Sequence, residues 1–170
     1  MIEKALEGVC QAMRVLVGLL IAALIVPVAM QVLSRYIGLI PTFLWTEELA
    51  TFLFIWVVMI GSMIAVWEGT HFDVQVISDA RTPLGRLLQR GFVLVMIILF
   101  ALLFVRFGID YARFGSIQSS VMLQANLLWT YITVPLAGGF WAVFAAFRLW
   151  QEIEIYRTRD GDVPVSGGVS

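Results

Sequence analysis

Charge is missing from four long stretches of this 170-residue chain, and that spacing limits what it can fold into. Val15–Ser34 carries no Asp, Glu, Lys or Arg over 20 residues, and Leu49–Trp67 carries none over 19. Gly91–Val105 has none over 15, and Phe114–Phe147 none over 34. A hydrocarbon layer about 30 Å thick takes roughly 20 helical residues to cross. A helix satisfies its own backbone groups there, which an open strand cannot do. The expected fold is an all-α integral membrane protein with four transmembrane helices, at about 13–37, 47–67, 88–108 and 126–150. With 61% hydrophobic residues against 14% charged, the chain has no room for a separate soluble domain. Residues 1–156 are expected to form a single membrane domain. The remainder, 157–170, with Gly161, Pro164, Gly167 and Gly168, is expected to be a disordered tail.

The residues between the spans suggest an orientation. With the N-terminus inside, Lys4, Arg14, Arg81, Arg86, Arg90, Arg148, Arg157 and Arg159 lie on the cytoplasmic side, and Arg35, Arg106 and Arg113 lie outside. That bias predicts both termini in the cytoplasm. Trp45 and Trp129 then mark the outer interface, Trp67 and Trp150 the inner one. The mixed flank of Glu3, Lys4, Glu7 and Arg14 and the long apolar run predict an uncleaved first span. Pro27 and Pro135 are expected to disturb the first and last helices. Arg106, Asp110 and Arg113 recur at i, i+4 and i+7, so Asp110 can pair with either arginine. Gly115–Gln124 reads as a polar loop. A net charge of −1 points away from nucleic acid, and the single cysteine, Cys10, reads as a small buried hydrophobe.

Helices associate in lipid through small residues that let backbones approach. The last span carries Gly138, Ala142 and Ala146 at four-residue intervals beside Gly139 and Ala145, the second has Gly61 and Ala65, and the first has Gly18 and Ala22. The third, bulky from Phe92 to Val105, is expected to face lipid broadly. The small-residue stripes serve either the chain's own packing or a partner.

Catalytic and coupling chemistry is missing. Transporters that work alone keep ionisable groups at membrane depth, and the middles of these spans hold none. One histidine cannot supply paired haem ligation, and no acid pair, metal cluster, phosphate loop or nucleophile constellation occurs. No cofactor or catalytic activity is expected.

One ordered set of residues adds a resemblance. Arg35-Tyr36, Trp45-Thr46-Glu47-Glu48-Leu49, Phe54-Ile55-Trp56, Gly61 and His71-Phe72-Asp73-Val74 follow one another across about Arg35–Asp79. In these elements the chain resembles the small membrane subunit of tripartite ATP-independent periplasmic (TRAP) transporters, the DctQ-like family. The resemblance implies a scaffold in the bacterial inner membrane, without a substrate site of its own. It implies a large multi-span membrane subunit that binds sodium and moves as an elevator. It also implies a soluble periplasmic protein that delivers an organic acid. Arg35, Trp45, Glu47, Glu48, Trp56, Gly138, Ala142 and Ala146 are the candidate docking or inter-subunit residues.

Each of these residues also has a plainer reading. Glu47 and Glu48 suit a helix start, where exposed N–H groups favour carboxylates. Arg35 either pairs with them across the short loop or reaches lipid headgroups. His71 and Asp73 suit a loop-ordering hydrogen bond, and Trp56 and Trp141 suit packing. Two other classes compete. A self-sufficient four-helix exporter would need a membrane-embedded acid, and a redox-complex anchor would show paired histidines.

Overall fold

The computed structural model describes residues 2–37, 44–69 and 83–161. Nearly all of them are helical: α1 (Ile2–Ile37), α2 (Leu44–Glu68), α3 (Pro83–Ser116), the single turn α4 (Leu128–Tyr131) and α5 (Thr133–Gly161). Four helical segments have the length and apolarity to cross a membrane: Glu3–Ile37, Leu44–Glu68, Gln89–Ser116 and Leu128–Arg157.

The helices outrun the spans expected from charge spacing. α1 starts at Ile2, ahead of the expected 13, because Glu3, Lys4, Ala5, Leu6, Glu7, Gln11 and Met13 are all strong helix formers. It runs unbroken through Pro27. α3 extends from Pro83 to Ser116, well beyond the expected 88–108. The last span is interrupted at Ile132, between α4 and α5. Pro135 explains the break, since its missing N–H leaves the Tyr131 carbonyl without its helical donor. The Thr133 hydroxyl donates to the Thr130 carbonyl at 2.7 Å, and Leu136 N donates to the Ile132 carbonyl at 3.2 Å, so the rod carries on past the break. α5 continues to Gly161, past residue 157 where the tail was expected to begin. The tail beyond Gly161 and the loop with His71, Asp73, Asp79 and Arg81 lie outside the described residues.

Packing follows the order α1–α2–α5–α3, with α1 and α3 at opposite edges of the slab. Met63 and Val66 of α2 meet Ala137 and Phe144 of α5 in the core, with Leu6 and Met13 of α1 and Trp67 against them. Trp67 stacks on Phe147 with centroids 5.9 Å apart, so this tryptophan belongs to the core as much as to an interface.

The most extensive interface joins α3 to α5. α3, expected to face lipid broadly, thus packs one face on α5 and leaves its other faces exposed. Leu94, Ala101, Gly108 and Gly115 recur every seven residues and are buried, as is Ala112. A Cβ on Gly138 would lie 2.8 Å from the Ala101 carbonyl oxygen and 2.9 Å from Phe104 Cβ. A Cβ on Gly108 would lie 2.9 Å from the Pro135 ring, and one on Gly115 would strike the Tyr131 ring. Small residues therefore seat α3 on α5 at two levels and on α4 at a third, and the opposite face of α3 stays exposed.

Candidate functional site

The start of α2 and the loop between α3 and α4 form one built structure. After α3, Ile117 N donates to the Phe114 carbonyl and Gln118 N to the Gly115 carbonyl, turning the chain. Ser119 and Asn126 then pair as an isolated antiparallel bridge. Ser120 N donates to the Ala125 carbonyl at 2.8 Å, and Gln124 takes the left-handed conformation (φ 49°) that closes the tip. The Asn126 side chain donates to the Ser116 carbonyl at 3.0 Å and accepts from Leu128 N at 2.8 Å, tying the loop to both neighbouring helices.

Glu48 locks this loop onto α2. Its carboxylate accepts from the Ser120 hydroxyl, from Met122 N at 3.2 Å and from Leu123 N at 3.0 Å. Charge-assisted bonds of this kind are about twice as strong as neutral ones, so the loop is held to a fixed shape. Glu48 is thus committed within the chain, neither idle at a helix start nor paired with Arg35. The clamp leaves apolar residues on the outside: Ile117 is 82% exposed, Val121 79% and Trp129 62%, next to Met122 and Leu123. A rigid loop with an apolar crest can recognise a surface, and it holds no acid, base or nucleophile that could do chemistry.

The other candidates are dispersed. Glu47 is exposed, and its carbonyl accepts from the Thr51 hydroxyl at 2.9 Å. Thr46 is buried, and Trp45 beside it is partly exposed. Arg35 forms no ion pair among the described residues. It lines an open groove of about 440 Å³ with Val28, Gln31, Val32 and Tyr36, and the groove's Gln31 Nε2 is buried without a partner. Trp56 packs on Phe52 and Trp141 on Phe104, and both indole N–H groups are buried without an acceptor. The α5 stripe divides: Gly138 is spent against α3, Ala142 is half-buried and Ala146 is exposed. Open space faces Gly8, Gly18, Gly61 and Gly139.

Ion pairs brace the opposite end of the slab. Arg14 meets Glu68 at 2.8 Å, and Arg90 meets Glu152 at 3.1 Å. The Arg148 guanidinium lies against Gly69, whose φ of 71° and missing side chain make the room. Asp110 pairs with Arg106 at 2.6 Å and approaches Arg113 at 3.9 Å, as their spacing implied. No group of three His, Cys, Asp or Glu side chains among the described residues could hold a metal.

Four helices able to cross a membrane, with a loop clamped by Glu48 at one end, define a small multi-pass membrane protein. Over residues 11–154 the chain matches the family described as tripartite ATP-independent periplasmic transporters, DctQ component, and it belongs to that family. It is 27% identical over 135 residues to the sialic acid TRAP transporter small permease protein SiaQ of Vibrio cholerae, covering 79% of this chain and 75% of that one. It is also 27% identical over 121 residues to the sialic acid TRAP transporter permease protein SiaT of Haemophilus influenzae. That match covers 71% of this chain and 19% of SiaT, so this chain corresponds to about a fifth of the longer relative. The protein is accordingly a multi-pass membrane component of TRAP type, and membership of a transporter family argues against catalysis.

Proposed function

We propose that the chain is the stationary small subunit of a TRAP-type system that takes up an organic acid across the bacterial inner membrane. In this reading it supports a large multi-span subunit, which carries the sodium and substrate sites and moves. The observation that carries the reading is the family match over residues 11–154 on four helices long and apolar enough to cross a membrane. In this reading ion coupling belongs to the partner.

Supporting it, α1, α2 and α5 leave Gly18, Gly61 and Gly139 open, the kind of surface on which helices associate in lipid. With both termini cytoplasmic, the clamped loop and Arg35 stand on the periplasmic side, where the loop's apolar crest suits the periplasmic binding protein. The substrate is a carboxylate, in keeping with the sialic acid named for both relatives. Affinity purification of the tagged chain from its native membrane tests the partnership. A large multi-span subunit is expected in stoichiometric yield, and recovery of the chain without one under mild detergent contradicts the proposal.

A further inference from the structure

Two edges of the slab differ in how far their uncharged surface reaches. At one end each is tied by an ion pair: Arg14 of α1 bridges to Glu68, and Arg90 of α3 bridges to Glu152. From that end α1 runs 20 residues without charge to Arg35, about 30 Å of helix. α3 runs only 15, from Gly91 to Val105, before Arg106, which is about 22 Å. Tilting α3 would shorten its projection further.

The charges that end this stretch point away from the protein. Phe92, Leu99, Arg106 and Arg113 recur every seven residues, and this row lies two residues, or about 200° of helix, away from the buried row of Leu94, Ala101, Gly108 and Gly115. The Arg106 side chain is 70% exposed and that of Arg113 79%. Asp110 stands between them as the only acid of the group, leaving one positive charge in excess. Below Arg106 the same face is bulky: Phe92, Leu99 and Leu103 are all exposed. A helix partner in lipid needs small residues at that position, which this face lacks.

We infer that the α3 edge is a lipid-facing, thin-membrane edge, where Arg106 and Arg113 bind phosphate groups of phospholipids drawn toward the bilayer centre. Guanidinium groups suit phosphate because their paired N–H donors match its oxygens. The bilayer meets the short apolar face by thinning locally, and the α1 edge keeps ordinary thickness. The inference rests only on the helices spanning a membrane, not on the transport reading.

Depth-dependent quenching tests it. Bimane is attached singly at Leu99→Cys, Leu103→Cys and Phe107→Cys in a Cys10→Ser background, with Val32→Cys on α1 for comparison. Vesicles carry nitroxide either at the lipid headgroup or at mid-chain. The label at 107 is expected to be quenched at least about twofold more by headgroup than by mid-chain nitroxide, with the preference reversing by 99, as a thinned leaflet requires. In Arg106→Leu/Asp110→Leu/Arg113→Leu the headgroup preference at 107 is expected to disappear. Should that variant fail to fold, the profile across the three α3 positions decides alone. Mid-chain quenching at 107 overturns the inference. So does loss of all lipid quenching at 99–107 once the large subunit is bound, because that face would then be a protein interface.

Discussion

Single atoms decide how this slab holds together, and two positions show it most directly. At Gly138 an added Cβ would press on the α3 backbone at Ala101, and at Gly139, one residue on, it would meet open space. Gly138→Val is therefore expected to cost about 1–3 kcal/mol through overpacking. Gly139→Ala is expected to unfold at the wild-type temperature. Thermal melts of both variants in one detergent give the comparison, and equal melting would refute the seam. Glu48 is the second position. Glu48→Ala removes the acceptor of Met122 N–H and leaves Leu123 N–H only the Ser120 hydroxyl at 3.3 Å, and hydrogen exchange at 120–123 is expected to speed up by roughly 10- to 100-fold, the equivalent of about 1.5–3 kcal/mol. Glu48→Gln keeps one acceptor oxygen and is expected to fall between. Unchanged exchange in Glu48→Ala would show that the loop holds its shape without the clamp.

The elements divide into those the chain's charge pattern announces and those it hides. Four helices were legible because charges flank each apolar run, and lipid allows few backbone solutions for such runs. The α3–α5 seam was hidden for a physical reason. Its small residues sit seven apart, and Gly108, Ala112 and Gly115 fall among Arg106, Asp110 and Arg113, which mark an exit from the membrane. Both rows share one helix on different faces, and a linear reading sees the charges first. The Glu48 clamp was equally hidden, because its donors lie 72 to 75 residues away, two of them backbone N–H groups that carry no side-chain signature. Packing order also sets an order of stability among the helices. α1 is held chiefly by α2, and α5 sits between α2 and α3. Exchange in detergent is expected to proceed faster in the apolar part of α1 than in that of α5, as local opening follows the number of buried contacts. Equal protection of the two helices would contradict the open slab.

As a whole, the molecule is braced by ion pairs at one end and by a clamped loop at the other. Such a body can hold position in a bilayer and offer surfaces. In the proposed reading its open glycines on α1, α2 and α5 meet the partner and its bulky α3 edge meets lipid. The family match assigns the architecture to TRAP transporters, and the division of labour is the proposal to be tested. The direct measurement is solute uptake into proteoliposomes under an inward sodium gradient, comparing this chain alone with this chain plus the large subunit and the binding protein. Uptake is expected only in the complete system. Sodium-driven accumulation by the chain alone would contradict the account.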